Sequence, residues 1–221
     1  MFDMCGVNTH PPTTVKQRER LLYAVGAAVA GGVFISVFVA ATPASAAPCQ
    51  PAELFVTDNT DPLFEAQADA TMAQGGATPT GSTPLDGVYW SNALQQASYG
   101  RSREFHLCAD EPALHTAGEA LRGQFHQESV LSFGYLPQSA PGVNAILITV
   151  PDVDIARFCD ALTADPTARN RVRGGSVTTT DHTLILVAGN DDREDARRLV
   201  DEAGGNWNTA TIAYGRREFV E

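Results

Sequence analysis

FHLCADEPALHTAGEALRGQFHQESVLSF, Phe105 to Phe133, carries the pattern on which the fold turns. The segment REFHLCA, ending at Ala109, reads as a strand. Asp110 followed by Glu111-Pro112 is a helix start, because an aspartate caps free backbone N–H groups and proline fits the first turn. Leu114, Ala117, Gly118, Leu121 and Phe125 then recur at helical spacing and form one apolar face. The remainder, from Phe125 to about Tyr135, reads as a second strand.

The same layout of strand, Asx-rich cap and helix recurs on either side. FVTDNTDPLFEAQADATMAQGG (Phe55 to Gly76) and LVAGNDDREDARRLVDEAGG (Leu186 to Gly205) both end on a Gly-Gly stop. Glu53 to Thr57 is a strand, ATPTGSTP (Ala77 to Pro84) a loop, and Val88-Tyr89-Trp90 a short strand. In the second half, NAILITV (Asn144 to Val150) is an apolar strand. Asp152 or Asp154 caps a helix with a stripe of Ile155, Phe158, Cys159 and Leu162, interrupted at Ala164-Asp165-Pro166. SVTTTDHTLILVAG (Ser176 to Gly189) reads as a long strand or hairpin arm, and NTATIAYG (Asn208 to Gly215) as the last strand. PQSAPG (Pro137 to Gly142) is the candidate linker. Strands and helices in this order predict an α+β fold of ferredoxin-like βαβ units, with mixed or antiparallel sheets and helices on one face. Two lobes are expected, residues 47–137 and 138–221.

The N-terminal 46 residues are of another kind. Lys16, Arg18 and Arg20 precede an uncharged run from Leu21 to Ala41, and Ala44-Ser45-Ala46 follows. A basic region, an apolar stretch and an A-x-A site form an export signal cleaved after Ala46. Left uncut, the run is long enough to anchor the chain in a bilayer. Either way the remainder is delivered outside the cytoplasm, as a secreted or cell-envelope protein.

The chain has 221 residues, 15 Lys and Arg against 26 Asp and Glu, and a mean hydropathy of −0.12. Residues 1–46 hold three of the bases and two of the acids (Asp3 and Glu19), so the remainder keeps 12 bases against 24 acids, a net charge of −12. Such a body does not bind nucleic acid, and membrane contact is confined to the N-terminal segment if it stays uncleaved. Three cysteines remain beyond the leader. Cys159 falls on an apolar helix face and is expected as a buried free thiol, which leaves Cys49 and Cys108 as the pair for a disulfide.

Glu53-Leu54-Phe55, Leu85-Asp86-Gly87 with Trp90, Arg101 to Leu107 and Phe125 to Leu131 resemble the motifs of the bacterial exported domain-of-unknown-function family 3574. The resemblance spans residues 53–135. It implies export and an α+β first lobe, and it brings no activity, cofactor or catalytic residue.

Catalytic chemistry is weakly signposted. If Phe125 to Tyr135 is a strand, His126 and Glu128 share one face while Ser129 points to the other, so no Ser–His–acid relay forms locally. No G-x-S-x-G elbow or phosphate loop is present. One candidate site remains, made of His106, His126 and Glu128, which would need two strands to pair with these faces together. No cofactor is expected. The favoured reading is a non-catalytic module that binds an envelope protein or a small ligand, and the alternative is an extracytoplasmic metal-assisted enzyme using that His/Glu site. Trp90 is read as a core anchor, or with Tyr89 as an aromatic lip for a sugar or peptide.

Overall fold

The computed structural model describes residues 49–58, 61–91 and 95–221. The expected leader over residues 1–46 lies outside the described residues. Eight strands occur in chain order: β1 (Pro51–Thr57), β2 (Thr78–Ser91), β3 (Gln96–Cys108), β4 (Val130–Tyr135), β5 (Ala145–Val150), β6 (Gly174–Thr178), β7 (Leu184–Gly189) and β8 (Thr211–Val220). The helices are α1 (Phe64–Gln74), α2 (Glu111–Phe125), α3 (Ile155–Ala164), α4 (Pro166–Val172) and α5 (Arg193–Glu202). None of the described helices is long and apolar enough to cross a membrane.

The expected ferredoxin-like sheets, each open with helices on one face, are overturned. All eight strands form one closed barrel in the order β1-β3-β2-β6-β7-β5-β8-β4, and every pairing is antiparallel. Residues up to Tyr135 supply the arc β4-β1-β3-β2, and those from Ala145 supply β6-β7-β5-β8. The arcs are stitched at two seams. Leu85 to Tyr89 of β2 pair with β6, and Val130 to Tyr135 of β4 pair with β8. Closure leaves no long unpaired edge and gives each arc a second apolar layer inside. Strands β6 and β7 are buried at every residue, and β5 at all but one. A half-exposed sheet face would instead require an alternating pattern.

Three cores follow from this arrangement. Helices α1 and α2 pack Phe64, Ala68, Met72, Ala117 and Leu121 on the outside of the first arc, against Leu54, Phe105 and Val130. The second arc is covered by α3, α4 and α5 through Phe158, Leu162, Leu199 and Val200. Inside the barrel, Phe55, Leu85 and Phe133 of the first half meet Ala145, Leu147, Ile185 and Val187 of the second.

Local chemistry sets most helix starts. Asp110 accepts from the Ala113 N–H at 2.9 Å, and Asp154 rather than Asp152 caps α3. Asp165 stops α3 and caps α4 through Thr167 and Ala168. In contrast, the expected Asx caps of α1 and α5 make no side-chain cap, and Asn190–Asp192 form a 3-10 turn before α5.

Three local expectations are corrected. Thr78 to Pro84 extend β2 rather than forming a loop; only β3 pairs with this stretch, so Pro79 and Pro84 need donate no ladder hydrogen bond on their free side. Ser176 to Gly189 is a hairpin, turning where the Asp181 carboxylate accepts from the Thr178, Thr180 and Thr183 hydroxyls. Strand β4 begins only at Val130, because His126 ends α2 in the left-handed conformation at φ 53°.

Candidate functional site

The barrel interior is layered. At one end, β1 places Glu53 opposite His106 of β3 and Phe55 opposite Glu104. Alternation along both strands sends these side chains inward. Glu53 is 8% exposed and Glu104 4%. The Tyr135 hydroxyl donates to Glu53 Oε1 at 2.5 Å, and His106 Nδ1 stands 3.5 Å from the same oxygen. The far nitrogen of His106, Nε2, is held by the Thr83 hydroxyl at 2.9 Å. Glu53 Oε2 is buried without a hydrogen-bond partner.

Two carboxyls this close cannot both ionise cheaply away from water. Burial first, and then the neighbouring Glu53 carboxylate, pushes Glu104 up to about 9. For Glu53, burial opposes ionisation, but the neighbouring His106, Glu104 and Tyr135 side chains outweigh it and hold the carboxyl below its ordinary value. Tyr135 is driven far up, by burial and by Glu53. The pair therefore shares one negative charge, centred on Glu53.

At the opposite end of the barrel a cleft of about 760 Å³ opens, with Phe55, Leu131, Ile185 and Val187 as its floor. Tyr89, Trp90, Tyr99 and Phe219 line it, with Arg101 and Arg173. Tyr89 and Tyr99 are 40% and 39% exposed, unusually high for large aromatics. The Tyr89 hydroxyl hydrogen-bonds Ser176 Oγ at 3.0 Å, and its ring lies where a Cβ on Gly87 would stand, 2.5 Å from Cε2. Glycine at 87 is thus the condition for Tyr89 to lean back along the barrel. Trp90 is half-buried under the Arg169 guanidinium, 4.0 Å from its ring centroid. Arg173 lies over the Phe219 ring and 3.8 Å from the Glu221 carboxylate.

The three residues singled out from sequence are not drawn together. His106 belongs to the buried cluster. His126 is exposed at the end of α2, and Glu128 is exposed and lines the cleft. Between them, Gln127 grips both backbone groups of Thr57, at 3.1 and 2.9 Å. Thr57 lies four residues from Glu53, roughly 13 Å along a strand. What His106 meets instead is Glu53, Glu104 and Thr83, with Tyr135 bound to Glu53, residues that the sequence did not single out. The available signal was a charged residue at inward positions of otherwise apolar strands, E-L-F at Glu53 and E-F-H at Glu104. Cys49 and Cys108 are joined in a disulfide at this same end. Cys159 is buried as its helix face implies, but it is not a free thiol.

No protein-family model matches the chain, and no curated protein matches it. Solved structures do. A proposed glycine cleavage system transcriptional repressor aligns over 76% of this chain and 98% of its own, at 9% identity and a TM-score of 0.29. A proposed monooxygenase from Lactobacillus acidophilus aligns over 77% and 95%, at 14% identity and a TM-score of 0.26. Another from Fusobacterium nucleatum aligns over 78% and 95%, at 12% and 0.25.

Proposed function

We propose that the protein is an exported, non-catalytic binding module of the cell envelope that takes a small ligand with a flat apolar face. The carrying observation is the cleft at the Thr57 end, whose volume falls in the range of small-molecule sites and whose walls present Tyr89, Trp90, Tyr99 and Phe219. Eight-stranded barrels are just wide enough to hold one such ligand. Flat aromatic walls favour stacking, and the lip arginines orient polar groups of the guest. Export is supported by the basic and apolar leader, by the net charge of −12 beyond it, and by the Cys49–Cys108 disulfide, a bond kept in oxidising compartments. The resemblance to family 3574 points the same way.

The test uses Gly100, which lines the cleft and where an added Cβ meets nothing within 4 Å. Gly100→Trp therefore begins its side chain in open space at the cleft wall and fills part of the cleft, and circular dichroism confirms that the variant is folded. Saturation-transfer NMR with 4-methylumbelliferone, a flat aromatic probe, is expected to show transfer with the wild-type chain and at least a tenfold loss with the plugged variant. Equal transfer in both, or none in the wild type, refutes the cleft as the binding seat.

A further inference from the structure

The buried cluster at the other end of the barrel has no part in that reading. Glu53 and Glu104 bring two buried carboxyls together, yet among the described residues no lysine or arginine forms an ion pair with either. Arg103 points to the other face of β3, toward Asp58 and Glu65, and Arg217 donates to the Val187 carbonyl. Something positive has to stand between the carboxylates when both are ionised.

The geometry says what. One ligand atom each from Glu53, Glu104 and His106 can be chosen so that all lie within 4.8 Å of one another. Around a tetrahedral ion with bonds near 2.1 Å, ligand atoms are about 3.4 Å apart. The 3.5 Å between His106 Nδ1 and Glu53 Oε1 fits that spacing and is long for a hydrogen bond. Two further features are independent of the clustering. Glu53 Oε2 is buried and accepts from no amide, ring or alcohol donor, which leaves a proton held by Glu104, or a cation, to satisfy it. Thr83 already holds Nε2 of His106, which presents Nδ1 to the cluster as outer-shell partners do for metal-bound imidazoles. Tyr135 plays the corresponding part for Glu53.

We propose that Glu53, Glu104 and His106 bind one divalent transition-metal ion of the zinc type inside the Cys108 end of the barrel. One nitrogen and two carboxylates suit zinc or manganese better than the oxygen-only shells of calcium and magnesium. The His106 side chain is 38% exposed, so the ion has a route in and a coordination position open to solvent.

The test strips the full-length chain with EDTA, removes the chelator and titrates with Zn²⁺ by calorimetry, counting bound metal by mass spectrometry. One equivalent per chain is expected, and Co²⁺ in its place should give visible d–d absorption. Glu104→Gln keeps the shape and a donor toward Glu53, so it folds; it should weaken Zn²⁺ at least 100-fold. Thr83→Val, which touches no ligand atom of the ion, should weaken it roughly tenfold. Binding below one equivalent in the wild type overturns the proposal, because the cluster then holds only a shared proton. Equal affinity in the wild type and Glu104→Gln also overturns it, by placing the ion elsewhere, such as among the surface acids from Asp191 to Asp195.

Discussion

In metal-free protein, Glu104 should make the fold less stable as pH rises. Its carboxyl is pushed up to about 9 in the folded state, mainly by burial, from an ordinary 4.5. Between those values the folded chain holds a proton that the unfolded chain has released, so stability falls with pH across that window and levels off above it. Each unit is worth about 1.36 kcal/mol, which gives roughly 4 kcal/mol lost between pH 4.5 and 7.5. Glu53 acts in a different range. Its folded value is depressed, so the stability it contributes is present above pH 4.5 and is lost only as pH falls further. Glu104→Gln cannot ionise, so it should match the wild type near pH 4.5 and exceed it by about 4 kcal/mol at pH 7.5, which for a body of this size is on the order of 10 °C in melting temperature. Urea denaturation at half-unit steps from pH 4.5 to 8.5, in EDTA, measures this directly. Parallel curves for the two proteins would refute the reasoning, since they would mean that Glu104 ionises freely. Saturating Zn²⁺ should flatten the wild-type curve, because a bound cation displaces the proton.

Other consequences follow from separate parts of the barrel. The Cys49–Cys108 bridge spans 59 residues, and Cys49→Ser should cost up to about 4 kcal/mol by releasing the unfolded chain, read as a lower urea midpoint. Gly174→Ala places a Cβ 2.5 Å from the Val88 carbonyl, which is backbone and cannot swing away; a loss of about 1–3 kcal/mol should appear in thermal unfolding. Asp110→Ala removes the α2 cap and should cost about 1 kcal/mol, with no effect on probe transfer at the distant cleft.

Elements governed by neighbours in the chain were legible. The α2 start at Asp110 and its buried stripe of Leu114, Ala117, Gly118 and Leu121 depend on a cap and a period of 3.6 residues, both internal to the segment. Misreadings arose where a distant strand, or the left-handed turn at the end of α2, changed the meaning of local chemistry. Pro79 and Pro84 look like loop residues until β3 is seen to pair along one side only. His126 and Glu128 look like one strand face until α2 is seen to end at His126 in a left-handed turn. The candidate site failed to assemble for the same reason: His106 is drawn to β1 by a pairing between residues 53 apart, Glu53 with His106.

From its residues alone this chain declares an uncharged apolar run near the N-terminus, an acidic remainder, a set of strand and helix segments and the caps of α2 and α3, because each rests on short-range periodicity or on charge counting. The seams β2–β6 and β4–β8, the lumen they enclose, the aromatic cleft at one end and the paired carboxyls at the other were decided by tertiary structure. Barrel closure depends on which strand edges find each other. That choice is made by apolar surface buried on both sides of the sheet at once, a quantity that belongs to no single stretch of sequence.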